Sequence, residues 1–268
     1  MITCSSIGYN GRLANQIFQF ASTWGISKTL GYEVRFPVEN FISGNPHDYS
    51  GGKLRECFDI PHNLFAPGSE IIRSLFYVYN ERCFNYDEGT RSIPDGSDLR
   101  GYFQSELYFK EHEAELRKIL KFRPDVVDRA NSLYKIDPNS TCIHVRRGDY
   151  LSSSNHHPSQ NVEYYREAIE RINGGTFYVF SDDIGWCREN LNSLDNNLVF
   201  LEIMDPYVSL FLMSQCRNHI IANSSFSWWG AWLGKKEGQI VLSPSTWFGP
   251  SLSMNNTKDL YCEGWDKI

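Results

Sequence analysis

The most distinctive run of residues is His144-Val145-Arg146-Arg147-Gly148-Asp149-Tyr150. It closes an apolar stretch that reads as a β-strand over 141–147. Side chains alternate along a strand, so His144 and Arg146 point together while Arg147 points the other way. Gly148 permits a turn where the strand ends. Two guanidiniums at a strand end suit a diphosphate, because each offers paired N–H donors to phosphate oxygens. For Arg147, an ion pair with Asp149 is an equally good account.

A second run, Ala222-Asn223-Ser224-Ser225-Phe226-Ser227-Trp228-Trp229-Gly230, joins the end of a strand to a helix predicted to start near Phe226. Serines suit N-cap positions, and free N–H groups at a helix start attract anions with the help of the helix dipole. Ser224 and Ser225 can cap the helix, touch phosphate, or do both. Phe180-Ser181-Asp182-Asp183 ends another predicted strand. Its carboxylates can accept hydrogen bonds from a ribose or a guanine edge, or simply cap the following helix. Two adjacent aspartates also bring a metal to mind, but neighbouring side chains diverge and the spacing is not that of a paired metal site. In Gly8-Tyr9-Asn10-Gly11-Arg12-Leu13-Ala14-Asn15-Gln16, the donors of Arg12, Asn15 and Gln16 can face a sugar or its phosphate. The run is not GxGxxG, so dinucleotide binding is not supported.

These residues need elements to hold them. Residues 2–9 read as a strand and 14–30 as a helix, with Ile17, Phe18, Ala21, Trp24 and Ile26 at helical spacing. Gly31 stops that helix, and 32–36 read as a second strand. Between Glu39 and Asp98 the sequence lacks periodicity, and irregular loops with short helices are expected there. Helices are predicted over 111–122 and 124–134. Strands at 141–147, 176–181, 197–203, 217–222 and 239–243 then alternate with helices at 161–173, 184–192, 205–215 and 226–236. That alternation indicates a parallel sheet wrapped by helices, whose ligands sit at the carboxyl ends of the strands.

Composition narrows the classes. The chain has 268 residues, 41% hydrophobic and 22% charged, with a formal net charge of -6; this is ordinary for a globular protein and argues against a nucleic-acid surface. Aromatic residues reach 15%, a weak pointer to carbohydrate, whose apolar ring faces pack on aromatic rings. Seven cysteines are an odd number without a CxxC pair. This fits reduced thiols in the cytoplasm better than a zinc site or a complete disulfide framework. Residues 1–9 lack the pattern of a signal peptide. No apolar run is long enough to span a bilayer, so the expected location is cytoplasmic, with weak association at the inner membrane surface allowed.

Taken together, GRLANQIFQFA (11–21), GYFQSELYF (101–109), HVRRGDY (144–150), SDDIGWC (181–187) and NSSFSWWGAWLG (223–234) resemble the family 11 glycosyltransferases, which are fucosyltransferases. More distantly they resemble the α-1,6- and protein O-fucosyltransferases. The resemblance implies an α/β fold of GT-B type, with two facing Rossmann-like domains and the donor in their cleft. The acceptor-side domain is expected over 1–135 and the GDP-fucose domain over 136–268. It further implies inverting transfer of L-fucose from GDP-β-L-fucose to the 2-hydroxyl of a terminal β-galactose, without a metal or other cofactor.

By the same resemblance His144 contacts guanine and Arg146 holds the β-phosphate, with Arg147 also on the donor. Asp182, with Asp183 in reserve, binds the nucleoside. Ser224, Ser225 and Phe226 cradle the diphosphate, and Asn15 lies near the fucose beside Arg12 and Gln16. Asp149 is the first choice of catalytic base, and some relatives lack a dedicated one. Gln104, Glu106, His156 and His157 are assigned to the acceptor side, the last three also as alternative bases. Rival readings are a transferase of another GDP-sugar or linkage, a nucleotide-sugar hydrolase, and a non-catalytic glycan-binding protein. The partners expected are GDP-fucose and a galactose-terminated oligosaccharide.

Overall fold

The computed structural model describes residues 1–9, 11–41 and 53–268. Asn10 of the first loop and residues 42–52 of the aperiodic segment lie outside the described residues. The chain divides into two units: Met1–Arg123 with Asn256–Cys262, and Pro124–Asn255 with Glu263–Ile268.

In the first unit the sheet is assembled from very short pieces. β1 (Phe36–Pro37) pairs in parallel with β2 (Phe65–Ala66), and β3 (Tyr77–Asn80) with β4 (Ser97–Arg100). Residues 2 and 3 join the two pairs, through parallel bridges from Ile2 to Val34 and from Thr3 to Asp98. The strand expected over 2–9 is therefore cut to two bridging residues. A turn takes over, with Ile7 N–H donating to Cys4 O at 3.2 Å and Tyr9 N–H to Ser6 O at 3.1 Å. The strand expected over 32–36 likewise shrinks to the Val34 bridge and β1. β2 and β3 lie within the segment read as irregular and β4 straddles its end; at two to four residues they are too short for alternation to register in the sequence.

The long helix α1 (Leu13–Leu30) is buried along almost its whole length. It ends as expected at Gly31, whose φ of 71° closes the helix in the left-handed conformation. Short helices α2 (Leu54–Cys57), α3 (Gly68–Arg73) and α4 (Glu113–Ile119) complete the unit. Residues 256–262 belong here because Asp259 ties them down: its carbonyl accepts from Ser105 Oγ at 2.6 Å and its carboxylate from Tyr86 N–H at 3.2 Å.

The second unit follows the predicted alternation closely. Its strands are β5 (Thr141–Val145), β6 (Phe177–Ser181), β7 (Leu198–Phe200), β8 (Asn218–Ile220), β9 (Val241–Ser243) and β10 (Asp266–Lys267). Among the described residues they form one parallel sheet in the order β10-β9-β8-β5-β6-β7. Helices α5 (Pro124–Leu133), α6 (Val162–Ile172), α7 (Ile184–Leu191), α8 (Pro206–Gln215) and α9 (Ser225–Leu233) accompany them. α5 belongs with this unit, a helix earlier than the expected 135/136 division, because it packs on α8 and Arg129 pairs with Asp205 at 2.5 Å.

Every residue of β5 is buried, as befits a central parallel strand covered on both faces. Ile143 and Val145 join Tyr165, Ala168 and Ile169 of α6 and Leu191 of α7 in one core. Cys142 and His144 point to the opposite face, as does His219, which pairs in register with Cys142. Burial pushes the imidazoles of His144 and His219 from 6.5 down to about 3, so both are neutral at pH 7.

A histidine held neutral in the fold takes up its proton near 6.5 once unfolded. Stability is therefore present above that value and is lost as pH falls from 6.5 toward 3, by about 1.4 kcal/mol per pH unit for each histidine. Urea unfolding between pH 7 and pH 4 should show this loss, and His219→Leu should reduce the slope by about one proton. An unchanged slope would mean that His219 is already protonated in the folded protein.

Candidate active site

The carboxyl ends of β5 and β6 lie side by side, and the charges cluster there. Arg146, just beyond β5, directs one guanidinium nitrogen to Asp182 Oδ2 at 2.8 Å and another to Asp149 Oδ1 at 2.5 Å. Asp182, just beyond β6, also accepts the Arg147 backbone N–H on Oδ1 at 2.9 Å. One carboxylate thus fixes both the backbone and the first arginine at the neighbouring strand end. The approach is close enough that a Cβ on Gly148 would lie 2.6 Å from Asp182 Oδ2, which accounts for glycine at this position.

Arg147 leaves this cluster. Its Nε donates to Asp183 Oδ2 at 3.0 Å, and its guanidinium lies 4.0 Å from the centre of the Trp186 ring. Asp183 caps α7 by accepting the Trp186 N–H at 3.2 Å, and the Arg147 contact holds its carboxyl below the usual carboxylate value. The Arg147–Asp149 pair entertained from the sequence is therefore replaced by two others, Arg147–Asp183 and Arg146–Asp149. The capping account of Asp183 is correct, and the same carboxylate also anchors the arginine.

α9 begins on the same side of the sheet as His144. Ser224 is its N-cap, accepting the Phe226 N–H at 3.3 Å, so the predicted serine cap is present. The His144 and Phe226 rings lie 5.8 Å apart, bringing together two sequence runs separated by about eighty residues. His144 Nδ1 is buried without a hydrogen-bond partner, an uncompensated polar atom beside the helix start. Tyr150 donates its hydroxyl to Asn223 O at 3.0 Å, stacks on His157 at 5.1 Å and lies 5.4 Å from the Arg146 guanidinium. His156 is exposed, and its carbonyl accepts the Gly249 N–H at 2.8 Å.

In the first unit, Gly11 has a φ of 82°, and a Cβ there would meet the Asn15 side chain at 2.2 Å. Glycine therefore lets Asn15 fold back over the loop. Asn15 Oδ1 accepts from Gln104 Nε2 at 2.9 Å, joining two residues singled out separately. Arg12 is the exposed N-cap residue of α1. Gln16 is buried and accepts the Leu54 N–H at 3.1 Å, bracing α2. Glu106 is buried beside Lys110, 3.5 Å away.

Three residues that matter here escaped the sequence reading: Tyr150, Trp186 and Asn223. Asn223 donates to Pro158 O at 2.9 Å and Trp247 O at 3.0 Å, and accepts from Gln160 at 3.1 Å. It pins the approach to α9. All three stood inside runs already noticed; only their partners were invisible.

Comparison with known proteins fits this arrangement. Residues 94–268 match the model of glycosyl transferase family 11. An alpha-1,2-colitosyltransferase of Escherichia coli is 31% identical over 89% of this chain and 90% of its own length. The O-antigen biosynthesis glycosyltransferase WbnK of Escherichia coli is 34% identical over 99% of both chains. A galactoside 2-alpha-L-fucosyltransferase of Caenorhabditis elegans is 23% identical over 88% of this chain and 70% of its own length. Among solved structures, the Bradyrhizobium fucosyltransferase NodZ superposes with a TM-score of 0.55 at 11% identity, covering 85% of this chain and 91% of that one. POFUT1 in complex with GDP gives 0.51 at 12% identity, covering 90% and 97%. At such low identity these structures speak for the fold, which is α/β of GT-B type. No helix among the described residues is long and apolar enough to cross a membrane. With a family match over most of the chain and relatives above 30% identity along nearly its full length, this protein belongs to glycosyltransferase family 11.

Proposed function

We propose that the protein is an inverting α-1,2-fucosyltransferase, carrying L-fucose from GDP-β-L-fucose to the 2-hydroxyl of a terminal β-galactose. The observation that carries this reading is the convergence of Arg146, the neutral His144 and the start of α9 at the carboxyl ends of one parallel sheet. Relatives named as galactoside α-1,2-fucosyltransferases, and fold neighbours solved with GDP-fucose, support the donor and the linkage.

In this reading the acceptor oxygen forms a bond to C1 of fucose as the bond from C1 to the diphosphate oxygen breaks. GDP leaves with the electron pair, and its growing negative charge is met by Arg146 and by the positive end of the α9 dipole. Ser224, Ser225 and Phe226 supply that helix start. His144, uncharged, offers an unpaired ring nitrogen to the base, and Asp182 keeps Arg146 in position. Arg147, clamped by Asp183 and Trp186, forms the wall beside the nucleoside. Asp149 shares the Arg146 guanidinium, so an arriving diphosphate competes with it. The released carboxylate is then the base that takes the acceptor proton. Arg12 and Asn15 are assigned to the fucose, and Gln104, Glu106 and His157 to the acceptor side. Cationic side chains and the helix start do the work that a divalent metal does elsewhere. We assign the reaction to the cytoplasm, in keeping with an odd number of cysteines without a CxxC pair.

A second reading keeps the linkage and changes the donor to GDP-colitose, and it is favoured by the resemblance to a colitosyltransferase. Colitose is fucose without its 3-hydroxyl. A pocket that hydrogen-bonds this hydroxyl discriminates by orders of magnitude, whereas an apolar one does not. Comparing kcat/KM for the two donors should favour GDP-fucose; a preference for GDP-colitose would assign the second reading.

Arg146→Ala should lower kcat at least tenfold, about 1.4 kcal/mol of barrier, in protein that still melts cooperatively; retention of more than a tenth of wild-type kcat would remove Arg146 from its role. Transfer should persist in excess EDTA. Loss of turnover that Mg²⁺ or Mn²⁺ restores would replace the metal-free mechanism.

A further inference from the structure

The first unit contains a groove of about 770 Å³ that the reaction described above does not use. It lies between α3 and the strands β3 and β4, with Tyr9, Glu39 and Asn40 along its rim. Val78 and Asp98 are paired in register, and residues in register share a face of the sheet. Val78, Asp98 and Arg100 therefore face the groove, while the alternate residues Tyr79 and Leu99 are buried on the other side. A parallel sheet is ordinarily covered on both faces. Among the described residues, this face carries charge and stays open beside α3.

The lining is of two kinds. Asp98 accepts from Ser5 N–H at 2.8 Å, Ser5 Oγ at 2.7 Å and Arg100 Nε at 3.0 Å. The buried carboxylate thereby holds the half-exposed Arg100 guanidinium in place on the floor. Facing it are large apolar side chains left to solvent: Phe76 is 77% exposed and Ile72 65%, with Tyr9 beside them. Flat rings next to a fixed guanidinium and carboxylates match a pyranose, which has apolar C–H faces and a polar hydroxyl edge. A groove of this size falls in the range of ligand sites, about 300–1,000 Å³, and has room for more than one sugar. Tyr9 lies three residues before Arg12, at the start of the loop that leads into α1.

We propose that this groove binds the acceptor's sugar residues beyond the galactose that receives the transferred sugar. The proposal rests on the transfer reaction given above and specifies its acceptor as an oligosaccharide. The probes are lactose and a tetrasaccharide ending in β-galactose, used with the full chain. Wild-type KM should be about tenfold lower for the tetrasaccharide. Phe76→Ala and Arg100→Gln should raise the tetrasaccharide KM about fivefold to tenfold, leaving the lactose KM, kcat and the GDP-induced rise in Tm unchanged. Equal KM values for the two acceptors in the wild type, or variants that shift both alike, would overturn the groove assignment while leaving the transferase reading intact. If neither acceptor is fucosylated, it is the reaction that fails. Calorimetric titration with the tetrasaccharide then decides the groove: binding weakened by Phe76→Ala supports it, and no binding sinks it. A change in sedimentation caused by Phe76→Ala without any change in acceptor KM would give the face to a second copy of the chain and overturn the proposal.

Discussion

The carboxylate of Asp182 makes two bonds across the gap between adjacent strand ends, and the charged site is organised by them. One oxygen takes the backbone N–H of Arg147 and the other a guanidinium nitrogen of Arg146. The first bond fixes where β5 stops relative to β6. The second stops the Arg146 side chain from sampling its many rotamers, an ordering that would otherwise cost about 2 kcal/mol each time an anion bound. Gly148 is required because only a residue without Cβ fits against this carboxylate. With Arg146 held on one side, Arg147 is left to the second aspartate and to the Trp186 ring. Two adjacent arginines thus acquire separate duties from two adjacent aspartates.

The opposite side of the site is built from neutral groups. His144 is too deeply buried to be charged, and its unpartnered nitrogen sits beside the Phe226 ring and the capped start of α9. Asn223 and Tyr150 hold that start against the loops following β5 and β9. The result is a gradient, with hydrogen-bonding groups of no net charge inside and an arginine at the rim. This suits a ligand with a heterocycle at one end and a diphosphate at the other. It also spares the interior the cost of burying an unpaired ion.

The first unit is organised around α1. Its buried length anchors the loop at Arg12 and Asn15, and Gly11 and Gln104 shape that loop. Its strands are brief, and among the described residues one face of its sheet stays open beside α3. An acceptor that varies from one glycan to another can be accommodated by changing side chains on such a face without disturbing the buried one.

In the second unit, strand and helix positions were readable from sequence to within a few residues. The largely buried strands β5, β6 and β9 carry mostly apolar runs that give way to polar residues near the strand ends, whereas the two exposed residues of β10 gave no signal. The same reasoning located His144, Arg146, Asp182 and Ser224 at strand ends. In the first unit it found α1 and its stop at Gly31 but missed the strands, since strands of two to four residues carry no period, and Ile2 and Thr3 take part only as bridges. Sequence by itself therefore determined which residue types stand at the ends of which elements, because periodicity and capping are local properties of the chain. Only the tertiary structure decided their partners: that Arg146 meets Asp182, that Arg147 meets Asp183 and Trp186 instead of Asp149, and that His144 meets Phe226. Those pairings depend on β6 and β8 flanking β5, an ordering set by packing among segments tens of residues apart.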